Sequence, residues 1–458
     1  MLLLCTQLLF GQEGLIFIDQ ISVSGNKHTK EGVIFRELHF SSGDSLPTSA
    51  LAEVLKTSEE SLLNTGLFNS VRIFFVQWEA STGKIHIRIE IEEAWFIYPV
   101  PVFELADRNF NVWWVEQERA LDRIKFGIEF THLNLTGRRD RLKLTATYGY
   151  TRLYSLKYSY PYLNKAKTLG ISGAVSFQRK REINYANIGN KQFYYKNENE
   201  FIYQKTSAFL GISYRPGHHL KHEWGLSFNK KELKVPEIIT LNPFYFDNGK
   251  DTERSFSMSY AFTYDLRDIH AYPLNGTYFQ FKITKPGLGI FKDKNILILA
   301  LRYKYYYQIA EKWSTGFEFF GKTSLIRNQP PFENYRIMGS SSTTVPGYEY
   351  YVLNGLDAAL LKTIFRFKLL DFTLNFGRLM PLQAFKELPI KIWLRANNGW
   401  GYANDPFDSG ENPLNKKLLW GGGPALDLIF FHDFIFRFEY NFNRLGEKGL
   451  FLHFKANI

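Results

Sequence analysis

The sequence predicts a small α+β domain followed by an all-β, antiparallel transmembrane barrel. First, short runs from Leu142 to Ile458 alternate apolar with polar residues, which is the two-residue period of strands. Second, the polar face is too rich in Lys, Arg, Glu and Asn for the interior of a sandwich, but it suits a watery lumen while the apolar face meets lipid. Third, 17% of the residues are aromatic, whereas no apolar run after the first residues reaches the roughly 18 residues of a membrane helix. A large soluble all-β protein is the alternative.

The first residues have the composition of a secretory signal, so we expect residues 1–12 to be a signal peptide. Met1–Gly11 is apolar and ends in a small residue, but it lacks a basic start, which indicates that the true start lies upstream. Cys5 is the one cysteine, and Leu4 stands where a lipoprotein would have a small residue. Removal of this segment would leave no thiol, which excludes disulfides and Cys-based metal sites.

Residues 15–94 have the pattern of a separate small domain in the order β-α-α-β-β. Thr29 can cap the first helix, and Gly66 can end the second in a left-handed conformation. The apolar spacing predicts five elements in chain order: a strand at Ile16–Ile21, a helix from Thr29 to about Leu38, a helix through Leu51–Leu63, and strands at Val71–Phe75 and Ile85–Ile91. These residues are numerous enough for one core.

Residues 95–122 are expected to form a linker and the entry to the barrel, and residues 123–458 the transmembrane barrel itself. The linker contains Pro99 and Pro101, and two neighbouring tryptophans within it suit a membrane–water interface. In the barrel region fifteen runs alternate clearly, and the first of them lies around Ile124–Thr131.

The number of strands must be even if both ends of the barrel lie on one side of the membrane. The sequence offers two weaker candidates, Glu232–Leu241 and Asp371–Phe376. We admit Glu232–Leu241 as a strand and interpret Asp371–Phe376 as part of a turn.

The net charge of +11 has two possible explanations: the protein binds nucleic acid, or the wall of its lumen is basic. The basic residues are spread through the predicted strands rather than clustered in one stripe, as Lys143, Arg302 and Arg437 illustrate. This distribution favours the lumen wall, so we expect no nucleic-acid partner.

The small domain resembles a POTRA domain, the periplasmic module of the BamA/TamA superfamily of outer-membrane assembly and secretion proteins. The resemblance rests on the element order, on Gly25-Asn26 after the first strand, and on the stretch Asn64–Val71 between the second helix and the second strand. It implies one POTRA domain and a barrel of about 16 strands. The edge of a small sheet can pair with an extended client, although the domain could equally be a spacer.

A second part of the resemblance is a turn inside the barrel. Five residues match the Asp-x-Arg-Asp…Pro-x-x-Gly pattern that this family places at a periplasmic strand connection: Asp265, Arg267, Asp268, Pro273 and Gly276. Asp and Arg can fix such a turn by local hydrogen bonds, while Pro and Gly set its backbone. We interpret the turn as structural; a catalytic carboxylate pair is the alternative, and no nucleophile lies nearby in sequence.

A third part is a loop that in this family folds back into the lumen. Its pattern is Val/Ile-Arg-Gly-Phe/Tyr, and the chain has Val345, Pro346, Gly347 and Tyr348, so that proline replaces the arginine. The acidic partner of that arginine is also missing, because the matching stretch is Asn397–Gly399. Loss of both charges need not leave one buried and unpaired. We expect the loop still to insert, held by Tyr348 and a rigid turn at Pro346.

The resemblance also implies a short seam between the first and last strands, through which client strands enter lipid. With the first strand at Ile124–Thr131, the seam residues are expected to be Phe126, Ile128, Phe130, Leu452, Phe454 and Ile458. A seam with few hydrogen bonds would open readily.

The function implied by the resemblance is insertion of β-barrel proteins into the outer membrane, or help with that insertion, without enzymatic activity. The alternatives are a translocator that secretes a partner polypeptide through the lumen, and a structural or pore subunit of a larger outer-membrane complex. Expected partners are outer-membrane lipid and lipopolysaccharide, unfolded or secreted client polypeptides, and other assembly subunits. No catalytic, cofactor-binding or metal-binding residues are expected, and Gly421–Gly423 suits close backbone packing rather than a phosphate cradle.

Overall fold

A computed structural model describes residues 14–79, 81–105, 113–114, 118–119, 121, 124–247, 249–340, 342–377, 386–431 and 434–456. The chain divides into two compact units, one ending at Ala94 and one beginning at Trp95. The predicted signal peptide, residues 1–12, lies outside the described residues. Among the described helices, none is both long enough and apolar enough to cross a membrane.

The first unit is a four-stranded sheet with two helices. Its elements are β1 (Leu15–Ser24), α1 (Glu31–Glu37), β2 (Ser45–Pro47), α2 (Thr48–Leu63), β3 (Phe68–Glu79) and β4 (Lys84–Glu93). The strand order is β2-β1-β4-β3, and β1 runs parallel to β4. Ile18, Ile87 and Ile89 are fully buried, as the alternation in the sequence requires. The predicted order is confirmed except for β2, because three residues are too few to show a period.

The second unit contains a sheet of 16 antiparallel strands. They are β5 (Ile97–Leu105), β6 (Ile124–His132), β7 (Arg141–Gly149), β8 (Thr151–Tyr160), β9 (Leu169–Lys180), β12 (Tyr203–Tyr214), β13 (Leu220–Leu233), β14 (Thr252–Asp265), β15 (Gly276–Pro286), β16 (Ile298–Ala310), β17 (Trp313–Ser324), β20 (Asp357–Asn375), β21 (Glu387–Asn404), β22 (Leu419–Phe430), β23 (Phe434–Asn443) and β24 (Lys448–Ala456). Its loops hold a hairpin of β10 (Glu182–Ile188) and β11 (Lys191–Lys196), the helices α3 (Glu237–Leu241) and α4 (Phe332–Tyr335), and the short strands β18 (Arg336–Met338) and β19 (Leu353–Asn354).

The strand number agrees with the prediction, but three assignments were wrong. The sixteenth strand is β5, inside the predicted linker, because prolines are tolerated on a strand at the end of a sheet. Glu232–Leu241 is no strand: its first two residues end β13 and the rest includes α3. Asp371 to Asn375 continue β20, with mostly exposed side chains, instead of turning.

The two faces of the sheet separate apolar from polar side chains as predicted. In β23 the side chains of Phe436, Phe438 and Tyr440 are 41%, 40% and 45% exposed, while Glu439 and Asn441 are buried on the other face. Aromatic rings therefore face outward, where lipid can cover them, and polar groups face the lumen. Successive strands reverse direction, so the β14–β15 turn and the long loop of residues 325–356 lie at opposite ends of the barrel. We call these the turn end and the loop end.

Candidate functional site: a filled lumen and a seam

The loop of residues 325–356, here called the plug loop, folds into the barrel between β17 and β20. Val345 and Tyr348 are 1% and 2% exposed. Eleven buried residues form one apolar cluster around its tip: Ile337, Met338, Val345, Tyr348, Tyr351, Leu353, Ala358, Leu360, Ala403, Leu414 and Leu419. The lumen is thus filled by packing at this level.

Pro346 rests on a pair of glycines in the barrel wall. Gly399 of β21 and Gly421 of β22 face each other in the sheet. A Cβ at Gly421 would lie 2.0 Å from the carbonyl oxygen of Pro346, and one at Gly399 would lie 2.5 Å from its Cδ. Only glycine leaves room for this close approach. Shape therefore holds the loop where the family pattern has a charge pair.

Hydrogen bonds from β23 hold the residues after Pro346. Asn443 donates from Nδ2 to the carbonyl oxygen of Gly347 at 2.7 Å, and Asn441 donates to Glu349 Oε1 at 3.4 Å. Burial raises the pKa of Glu349 to about 7. The plug loop is therefore tied to one of the last two strands of the barrel.

Glu349 also meets Glu439 and His453, with ligand atoms of all three within 4.8 Å of one another. This arrangement could hold a cation in principle. Arg437, whose Nε lies 3.6 Å from Glu439 Oε1, opposes a further positive charge there. The sequence did not reveal the cluster, because its members come from three elements.

Loops interlock at the loop end. The tip of the β10–β11 hairpin enters between the plug loop and the β21–β22 loop. Val352 N donates to the carbonyl oxygen of Asn190 at 2.8 Å, and Leu414 N donates to its side-chain Oδ1 at 2.8 Å. Gly189 N donates to the carbonyl oxygen of Glu411 at 3.0 Å. These bonds join segments that are far apart in sequence.

A buried ion network anchors the start of the plug loop to the wall. Lys231 Nζ lies 3.0 Å from Glu253 and 2.7 Å from Glu333 of α4, and Lys294 Nζ lies 2.7 Å from Glu253. Removal of one member would leave a buried charge with a missing partner.

The turn motif folds as its sequence indicates. Arg267 donates two hydrogen bonds to the Asp265 carboxylate, at 2.8 and 2.7 Å, and Asp268 accepts from backbone N–H groups across the turn, including Leu274 N at 3.1 Å. Gly276 has a φ of +101°, which favours glycine. These contacts support a structural role.

The middle of the same turn enters the lumen from the turn end. Tyr272 donates to Asp427 Oδ2 at 2.8 Å, and Arg366 donates to the carbonyl oxygen of Pro273 at 2.6 Å while lying over the Tyr272 ring. Tyr272 also packs on Trp393, which is 2% exposed. The sequence placed Pro273 in the turn but gave no sign of these distant contacts.

The predicted first side of the seam was wrong. Phe126, Ile128 and Phe130 lie on β6, which pairs with β5 on one side and β7 on the other. The error follows from interpreting β5 as linker. The strands at the two ends of the sheet are β5 and β24, and within the described residues no pairing joins them. Leu452 and Phe454 lie on β24 with exposed side chains, and Ile458 lies outside the described residues.

The outer edge of β5 is poor in hydrogen-bond donors. Leu133 N donates to the carbonyl oxygen of Phe96 at 2.9 Å, so alternate residues from 96 onward turn their backbone groups to β6. The residues between them turn their backbone groups to the seam, and two of them, Pro99 and Pro101, have no N–H to offer. The Trp95 indole N–H donates to the carbonyl oxygen of Ile97 on this same edge.

The first unit also has an apolar edge. On β3, the last strand in the sheet order, exposed apolar side chains follow one another: Phe74, Phe75, Val76 and Trp78. Glu59 of α2 accepts a hydrogen bond from Ile73 N at 2.6 Å, so the helix covers this edge up to that point. Beyond it the edge presents aromatic side chains to solvent.

Two family descriptions match the sequence. The Omp85 superfamily domain matches residues 134–358, and the POTRA description, surface antigen variable number repeat, matches residues 16–94. Together they confirm the predicted family and fold class. No curated protein matches the sequence.

Solved structures resemble this chain at low sequence identity. CdiB from Escherichia coli is 11% identical with a TM-score of 0.51, covering 99% of this chain and 92% of that chain. CdiB from Acinetobacter baumannii is 13% identical with a TM-score of 0.50, covering 96% and 73%. BamA from Haemophilus ducreyi lacking POTRA domains 1–3 is 14% identical with a TM-score of 0.48, covering 96% and 83%.

Proposed function

We propose that this chain, which belongs to the Omp85 superfamily, inserts β-barrel proteins into the outer membrane or helps to insert them. Its POTRA domain lies in the periplasm, and its barrel crosses the outer membrane. Unfolded barrel polypeptides are its clients, and other assembly subunits and lipopolysaccharide are its partners there. Client folding drives the process, so no nucleotide and no catalytic residue are needed.

The observation that carries the proposal is the seam edge of β5. A backbone hydrogen bond contributes only about 0.5–1.5 kcal/mol net, and Pro99 and Pro101 each remove one donor from this edge. A seam that is short of donors separates at low cost. Its carbonyl groups, and those of β24, can then pair with an incoming client strand.

The POTRA sheet offers a first contact for the client. Its edge strand β3, which pairs on one side only within the described residues, also presents the side chains of Phe75 and Trp78, whose ring centroids lie 6.3 Å apart in an edge-to-face arrangement. An extended apolar client segment would gain hydrogen bonds and apolar contacts together. This supports a templating role over a spacer.

A disulfide across the seam tests the proposal. In a Cys5→Ala background, Val100→Cys on β5 is combined in turn with Leu450→Cys, Leu452→Cys and Phe454→Cys on β24. The pair that cross-links is reconstituted in liposomes, and insertion of an unfolded barrel client is followed by its resistance to SDS without heating. We expect oxidation to abolish insertion and reduction to restore it.

The matched control joins two interior strands. Ile128 and Ala146 face each other in β6 and β7, so Ile128→Cys with Ala146→Cys cross-links without touching the seam. We expect this pair to insert clients normally when oxidised. Normal insertion by the oxidised seam pair would contradict the proposal.

Secretion of a partner polypeptide through the lumen is the second candidate, and the polar lumen wall favours it. The plug loop would then have to leave the barrel. The outer-membrane proteome of a depletion strain separates the two: broad loss of barrel proteins supports insertion, and loss of one secreted product supports secretion.

A further inference from the structure

We propose that the lumen contains a binding site for a phosphate-type oxyanion, between the plug loop and the inserted β14–β15 turn. A cavity of about 390 Å³ lies there, with Ser342 of the plug loop and Tyr272 of the turn among its lining residues. Six basic side chains from strands β16, β20, β21 and β23 line it: Arg302, Lys304, Lys362, Arg366, Arg395 and Arg437. Glu318 is the one carboxylate among the lining residues.

Among the lining residues of this cavity, the cations outnumber the carboxylates. Lys304 lies 3.3 Å from Glu318, and Arg437 lies 2.6 Å from Asp427, so these two are neutralised locally. Arg302, Lys362 and Arg366 form no ion pair within the part of the chain that the structure describes. Three positive charges in a shielded space repel one another, and an anion bound among them would relieve that repulsion.

Two guanidinium groups also have buried N–H donors without an acceptor. The Nε atoms of Arg366 and Arg395 are buried and make no hydrogen bond within the described residues. The side chain of Arg395 is 8% exposed, and Arg366 is 3% exposed. Buried donors are normally satisfied, so these donors point to a missing acceptor.

Arg366 is held in position for such a ligand. Its Nη1 donates to the carbonyl oxygen of Pro273 at 2.6 Å, and its guanidinium lies 4.4 Å from the centroid of the Tyr272 ring and 5.4 Å from that of Tyr306. This fixes the plane of the group and leaves Nε available. A guanidinium presented in this way matches the oxygen geometry of phosphate.

The charge and the size of the cavity favour a phosphate group over a carboxylate or a polymer. A single carboxylate would balance one of the three charges, whereas a phosphate carries up to two and offers more acceptor oxygens. The plug loop and the inserted turn bound the space, which suits a small group. The phosphate could be free or could belong to a glycerophosphate headgroup.

Calorimetric titration of the full chain in detergent tests the inference. The probes are orthophosphate, pyrophosphate and glycerol 3-phosphate, each against sodium chloride and sodium acetate at equal ionic strength. We expect saturable binding of phosphate and a higher unfolding temperature in its presence. Binding of glycerol 3-phosphate as well would indicate a headgroup, and binding of inorganic phosphate alone a free ion.

Variants locate the site. Arg302→Gln with Lys362→Gln removes two cations that have no ion pair, so folding should persist, and we expect binding to weaken about tenfold or more. Arg366→Gln should act similarly, with partial recovery in Arg366→Lys. Lys157→Gln, an exposed cation of β8 outside the cavity, is the matched control and should bind normally.

Three results would overturn the inference: no saturable binding by the unchanged chain, an equal thermal shift in sodium chloride, or equal loss in the Lys157→Gln control. The inference does not rest on the proposed function. A chain that inserts clients but binds no phosphate would overturn this site alone.

Discussion

At the scale of single residues, the plug loop shows how shape can replace charge. Pro346 stands where the resembled family has arginine. Gly399 and Gly421, here called the glycine seat, have no side chains and so leave room for its ring and its carbonyl group. A buried ion pair is stable only if both charges are present and hydrogen-bonded by neighbouring groups. A proline packed against two glycines requires only that no side chain occupies the space.

The glycine seat gives the first prediction. In Gly421→Ala the new methyl group would lie 2.0 Å from the Pro346 carbonyl oxygen, so the loop must shift. Overpacking of this kind costs about 1–3 kcal/mol. We expect the plug loop to become accessible to protease in the folded barrel. Gly173→Ala is the control, because its new methyl group would lie 3.8 Å from its nearest neighbour, the carbonyl oxygen of Phe209. Similar protease sensitivity in that variant would refute the role of Gly421.

The carboxyl group of Glu349 gives the second prediction. Because burial raises its pKa to about 7, the folded state binds the proton more tightly than the unfolded state does. Stability should therefore rise on acidification from about pH 8 to about pH 5.5 and be lost as pH rises through the folded-state pKa. The Glu349 carboxyl group also faces Glu439, His453 and Lys362, which influence its titration. The pH dependence of stability must therefore be compared between the unchanged chain and a Glu349 variant.

The measurement is the temperature at which the barrel loses its compact mobility in SDS gels, followed against pH. We expect Glu349→Gln to flatten the dependence. Glu311→Gln changes an 86% exposed carboxylate and should leave the dependence as it is. An unchanged slope in Glu349→Gln would show that other groups set it.

Contacts between residues close in sequence were predictable, and contacts between distant ones were not. The Asp265–Arg267 pair spans two positions, so its hydrogen bonds follow from the turn itself. Nothing local in the sequence indicates that Tyr272 reaches Asp427 or that Asn190 reaches Leu414. Such pairs depend on the order in which strands meet around the barrel.

At the scale of elements, the alternation located most strands but missed the one that matters for the seam. β5 contains two prolines, which normally argue against a strand. The objection disappears at the end of a sheet, where only one edge needs donors. The two prolines made the strand hard to recognise in the sequence. They also explain why its seam-facing edge can form few hydrogen bonds.

The third prediction concerns that edge. Pro99→Ala with Pro101→Ala restores two N–H donors facing the seam, and each new bond to β24 would add about 0.5–1.5 kcal/mol. We expect slower client insertion in liposomes and a higher melting temperature. Pro424→Ala, an exposed proline in the interior strand β22, is the control and should leave insertion unchanged. Unaltered insertion by the double variant would argue against strand exchange at this edge.

At the scale of the whole molecule, the lumen is filled from both ends. The plug loop enters from the loop end, and Tyr272 and Pro273 enter from the turn end. A passive pore needs an open water path, so this arrangement opposes the pore in the third alternative and leaves a structural subunit open.

The fourth prediction is a low ion conductance in planar bilayers. Replacing residues 342–350 with a short Gly-Ser linker should raise the conductance, because it removes the packed tip. The same replacement of residues 163–167, a short loop at the turn end, is the control and should change little. A large, steady conductance from the unchanged chain would favour a pore.

The interlocked loop end has a consequence for immune recognition. Three segments form its surface: the β10–β11 hairpin, the plug loop and the β21–β22 loop. Hydrogen bonds of Asn190, in the hairpin, join the other two segments to it. Antibodies raised against the native barrel should bind conformational epitopes that draw on several of these segments. Such antibodies should bind linear peptides copied from any one of these segments weakly.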